Sequence, residues 1–112
     1  MAANAQNLSP NDLPWFLHPT AEGKEWQKQL NSAIQAQDEQ KLISISTNLR
    51  HYWADAKTTG EKLTGTLWDS KDEHGLTAKN WLQRAKVTYD MIESINTITS
   101  KIRDKAKFTV AR

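Results

Sequence analysis

The sequence predicts an all-α fold, a small bundle of three long helices plus a short one, with an irregular arm in front. Three observations carry this. Apolar residues recur at alternating steps of three and four in three separate stretches. All three prolines fall within the first 19 residues, and the last 36 residues run without Gly or Pro. At 112 residues, 38% hydrophobic and 25% charged, the chain suits a single domain.

Residues 1–19 form the arm, because each of Pro10, Pro14 and Pro19 disfavours helix at the residue before it. Leu13, Trp15, Phe16 and Leu17 make an apolar cluster there. Leaving it in water forfeits roughly 1.5–3 kcal/mol per large side chain, so it either folds back on residues 20–112, with Leu17 stapling the next helix, or docks on another chain.

The first helix is expected over about 20–36, with Thr20 as N-cap, Glu22 and Glu25 near the positive end of the dipole, and Trp26, Leu30, Ala33 and Ile34 at helical spacing. Gly23 weakens its first turn. The second is expected over about 38–58. Asp38 caps it, Leu42, Ile45, Leu49, Tyr52 and Ala56 form its stripe, and Ile43 and Trp53 widen that stripe. The β-branched run from Ile43 to Thr47 also fits a strand, but the pattern continuing to Ala56 favours helix, with Gly60 as the stop. Leu63, Leu67 and Trp68 suggest the short helix, about 61–69, and residues 69–75 a polar loop.

The third long helix is expected over about 77–107, with Thr77 as N-cap. Trp81, Ala85, Thr88, Ile92, Ile95, Thr99, Ile102 and Ala106 follow heptad spacing. Two threonines in that seam favour antiparallel packing in a bundle over a parallel coiled coil. Such a helix is about 45 Å long at 1.5 Å per residue, so it should outrun its own domain.

Chemistry is sparse. With no Cys, disulfides, thiolate metal sites and cysteine nucleophiles are excluded, and a reducing compartment fits. No apolar run reaches the length of a membrane span, and Met1 to Asn7 has neither a basic nor an apolar leader region. The chain is therefore read as cytoplasmic and without a membrane role. His18, His51 and His74 are far apart, the four glycines are scattered singly, and Asp69, Asp72, Glu73 and His74 lack the pattern of a calcium loop. No metal, cofactor, small-molecule substrate or enzymatic activity is expected. An enzyme using Asp72, Glu73 and His74 is the weakest of three function classes.

Two contact surfaces remain. The favoured reading is a non-catalytic interaction or adaptor protein that binds another protein or itself through Leu13, Trp15, Phe16, Leu17, Trp68, Ile98 and Ile102. Its alternative follows from charge. Residues 1–78 carry 7 Lys and Arg against 10 Asp and Glu, a net of −3, whereas 79–112 carry 8 against 3, a net of +5. A basic last helix is the footprint of a nucleic-acid binder, through Lys79, Arg84, Lys86, Lys101, Arg103, Lys105 and Lys107, alone or in a nucleoprotein assembly. The alternation at 101, 103, 105 and 107 spreads those charges over more than one face. Five tryptophans are an excess for this length. Trp26, Trp53 and Trp81 each lie on the stripe of a different helix, as a shared core layer would, leaving Trp15 and Trp68 as candidate anchors.

Overall fold

The computed structural model describes residues 10–65 and 70–111, without the side chains of Pro10 and of residues 106–111. It is all-α: α1 spans Ala21–Ala36, α2 Glu39–Leu63 and α3 Ala78–Ala111. The arm holds two 3-10 turns, Pro10–Asp12 and Trp15–Leu17. The helix caps stand where the sequence places them. Thr20 accepts from the Gly23 N–H and Asp38 from the Lys41 N–H. Thr77 and Asn80 cap each other, the Asn80 N–H donating to Thr77 Oγ1 and the Thr77 N–H to Asn80 Oδ1. Between α1 and α2 the chain turns through Gln37 alone in a left-handed conformation, φ 53°. The N–H groups of Gln37 and Asp38 close back on Ile34 and Ala33, satisfying the last carbonyls of α1.

The frame is the α2–α3 hairpin. Glu39 meets Arg103, Ser46 meets Asn96, Trp53 meets Tyr89, and Leu82 lies against Gly60. Seven residues up α2 match seven down α3, so the helices are antiparallel and hold a heptad register throughout. The seam contains the predicted residues: Leu42, Ile45, Leu49 and Ala56 are buried against Ala85, Thr88, Ile92, Ile95 and Thr99. Its threonines are satisfied locally. Thr88 Oγ1 donates to the Arg84 carbonyl at 2.7 Å and Thr99 Oγ1 to that of Ile95 at 2.8 Å, so neither hydroxyl is buried at the cost of a lost hydrogen bond.

Helix α2 does not stop at Gly60. It continues to Leu63, so residues 61–63 of the expected short helix are its last turn, and 66–69 lie outside the described residues. The reason is packing. A Cβ on Gly60 would stand 2.7 Å from the Leu82 side chain and 3.2 Å from the Leu82 nitrogen, which means that Gly60 serves close helix approach and not chain reversal.

One side of the hairpin is covered by two segments in series. Helix α1 lies along the half near Glu39, where Leu30 and Ala33 join the core; above it the arm seats Phe16, 1% exposed, between Trp26 and Tyr52. The arm is fastened by Gln27 Nε2 to the Phe16 carbonyl, Asn80 Nδ2 to Asp12 and Arg84 Nε to the Asn11 carbonyl. Gly23 is needed here. A Cβ at that position would overlap the His18 carbonyl oxygen and stand 3.1 Å from that of Trp15, so the first turn of α1 gives up helix propensity to let the arm cross it. The tryptophans do not form one layer: Trp26 and Trp53 border the main core, while Trp81 stands at the loop end of the hairpin against His74.

Truncating Phe16→Ala should cost about 3–5 kcal/mol in urea unfolding. Gly23→Ala should cost about 1–3 kcal/mol, because the overlap is with backbone. A Gly23→Ala chain as stable as the parent would contradict the seating of the arm.

Candidate functional site

The predicted contact residues fall into two places. Phe16 is committed to the chain's own core, and Leu13 and Leu17 are part-buried beside it. Trp15 alone of that cluster projects outward, 43% exposed, with its ring edge-on to Phe16 at 5.7 Å. Ile98 and Ile102 lie at the other end of α1. With Ile34 they line a groove of about 260 Å³ rimmed by Gln37, Lys101 and Lys105. The length of α1, about 24 Å at 1.5 Å per residue, separates Trp15 from this groove, so the two are distinct contacts. Trp68 lies outside the described residues.

The groove has a geometric cause. The register sets Glu39, the first residue of α2, across from Arg103. Beyond that level α3 continues as helix to Ala111 with no α2 beside it. Ile98 and Ile102 lie short of that level, beside residues 44 and 40 of α2; they are covered only in part because α1, on whose side they stand with Ile34, ends at Ala36.

The structure disperses the basic residues of α3. Arg84 is a fastener: it bonds the Asn11 carbonyl and the Tyr52 hydroxyl, 3.0 and 3.2 Å, and stacks over Trp81 at 5.4 Å. Arg103 is engaged by Glu39, and Lys86 pairs with Asp90 at 3.5 Å. Lys79 and Lys86 point away from the hairpin seam, Lys101 and Lys105 flank α1, and Arg103 faces α2. The Lys107 side chain lies outside the described residues. These cations do not form one phosphate-tracking stripe.

The acidic loop has a structural use that its composition does not reveal. Asp72 Oδ1 accepts the N–H groups of His74 and Leu76, at 2.9 and 3.0 Å, and Oδ2 accepts the Trp81 indole N–H at 2.8 Å. Gly75, at φ 77°, closes the turn by donating to the Asp72 carbonyl. Asp72 thus ties the loop to the first turn of α3. Among the described residues no group of three or more His, Asp and Glu side chains is placed to hold a metal ion, and no helix is long and apolar enough to cross a membrane. Comparison with protein-family models, curated proteins and solved structures finds no match for the chain.

Partial burial pushes the Asp72 carboxyl up, but the Leu76, Trp81 and His74 N–H groups and the His74 charge together outweigh it and hold the pKa below its ordinary 3.8. A lowered folded pKa gives stability that is complete above the unfolded value and lost as pH falls through the folded one. The loop should therefore loosen only in acid below about pH 4. The Trp81 indole N–H resonance should titrate there and not in Asp72→Asn; a titration surviving that substitution would assign it to another group.

Proposed function

We propose that the protein is a non-catalytic helical interaction module, which binds another protein or a second copy of itself at the groove between the end of α1 and α3. The observation that carries this is the groove at Ile34, Ile98 and Ile102, where α1 ends at Ala36 and leaves part of the apolar stripe of α3 uncovered. A helix laid into this groove past the end of α1 would complete that burial, in the way amphipathic helices dock into apolar grooves. Lys101 at its rim favours a partner with acidic flanks. Trp15 is a second anchor, large and rigid enough to act as one. The absence of Cys fits a reducing, cytoplasmic setting.

Sedimentation velocity across a concentration series, and of complexes with any partner recovered from the native cell, checks this. Ile102→Ser should weaken the association by roughly 30-fold or more, the mark of a central anchor. Trp15→Ala should weaken it less, and both should keep the helical circular dichroism. A strictly monomeric parent chain, with a partner complex indifferent to both substitutions, would remove the proposal.

A further inference from the structure

The α2–α3 hairpin has two long sides, and the described residues cover one. Along the other, Ile43 is 36% exposed and Tyr89 47%, with Trp53 packed against Tyr89 at 5.8 Å between their ring centres. Next to them runs a groove of about 400 Å³ with Ser46 and Asn96 in contact across the seam and Arg50 on its wall. Ile43, Arg50 and Lys57 recur every seven residues of α2. They form one straight line along the hairpin.

We propose that this side seats an acidic amphipathic helix supplied by a partner protein. The apolar groups lie near the levels of residues 43 and 53, about 15 Å apart along α2, which suits a rod of two to three turns and not a single inserted side chain. Charge selects the sign. Arg50 has no ion pair among the described residues, and the Lys57 ammonium lies over the Trp53 ring at 5.4 Å without one. On the floor and rims of the groove Arg50, Lys57, Lys86 and Arg103 outnumber Glu39 and Glu93; Asp90, Asp104 and Glu61 stand one heptad position further out, and Glu39 and Asp90 are already engaged by Arg103 and Lys86. Arg50 and Lys57 are about 10 Å apart, two helical turns. Carboxylates at i and i+7 on a docked helix meet both.

The same observations weigh against other occupants. A second copy, placed face to face, would bring two such cationic lines together. A single strand of nucleic acid needs free aromatic faces for successive bases, whereas Trp53 is flanked by Tyr89 and Lys57.

The proposal rests on the reading of the protein as an interaction module but not on the groove at Ile102. The test uses the full chain, isotopically labelled, and two synthetic helical peptides with identical leucine faces, one flanked by Glu at i and i+7 and the other by Lys. The Glu peptide should shift the Trp53 indole and the Ile43 and Tyr89 amide resonances, bind more weakly as salt rises, and bind at least roughly tenfold tighter than the Lys peptide. The exposed double substitution Arg50→Glu, Lys57→Glu should reverse that preference, and Ile102→Ser should leave it unchanged, which separates this face from the groove on α3. Equal affinity for both peptides, no binding, a preference untouched by the double substitution, or shifts centred on Ile34 and Ile98 would each overturn it. So would an oligothymidylate that displaces the Glu peptide from these residues.

Discussion

Everything in this molecule hangs on how closely α2 and α3 approach each other. Toward the loop end the seam is built from Ala56 and Gly60 on one helix and Ala78 and Ala85 on the other. At the opposite end it carries Leu42, Ile45 and Leu49 against Ile92 and Ile95. The gradient follows from what else is available for burial. Where α1 adds a third helix, large side chains can be enclosed on all sides; where only two helices and the arm meet, large side chains would stay wet, and small ones gain more from close backbone contact. The shared register keeps this graded seam aligned, and the arm and α1 fit in series on one side because the hairpin offers them one long continuous surface.

Much of this is legible in the residues themselves. Period and caps locate all three helices, since Thr20, Asp38 and Thr77 each sit just before an apolar stripe and each accepts an N–H of the first turn. What sequence reasoning misplaces is tertiary. Gly60 looks like a stop because, seen along one chain, a glycine after a periodic stretch has no other use; its actual use is Leu82, more than twenty residues away. Gly23 is undervalued for the same reason. The tryptophans share a stripe position, but the stripe does not say at which height along a rod each lands, so three core positions become three separate levels.

The contact surfaces were harder to read. An apolar cluster such as Trp15 to Leu17 does not announce which of its members turns inward, and Phe16 and Trp15 take opposite roles within one 3-10 turn. Arg84 and Lys79 look equivalent in a list of basic residues, yet one is a structural fastener and the other an exposed charge. The line of Ile43, Arg50 and Lys57 is visible as a seven-residue spacing, but its meaning depends on which side of α2 the arm and α1 occupy. Helical periodicity identifies faces; only packing says which of them the chain uses for itself.

The long hairpin also gives the molecule its shape. Its principal extents are 59 × 27 × 23 Å and its radius of gyration is 16.4 Å, against about 13 Å for a compact chain of this size. A rod tumbles and diffuses more slowly than a sphere of equal mass, so on a sizing column a single copy elutes early and passes for something heavier. Its apparent mass by filtration is thus a statement about aspect ratio, and stoichiometry has to come from a method that weighs the particle.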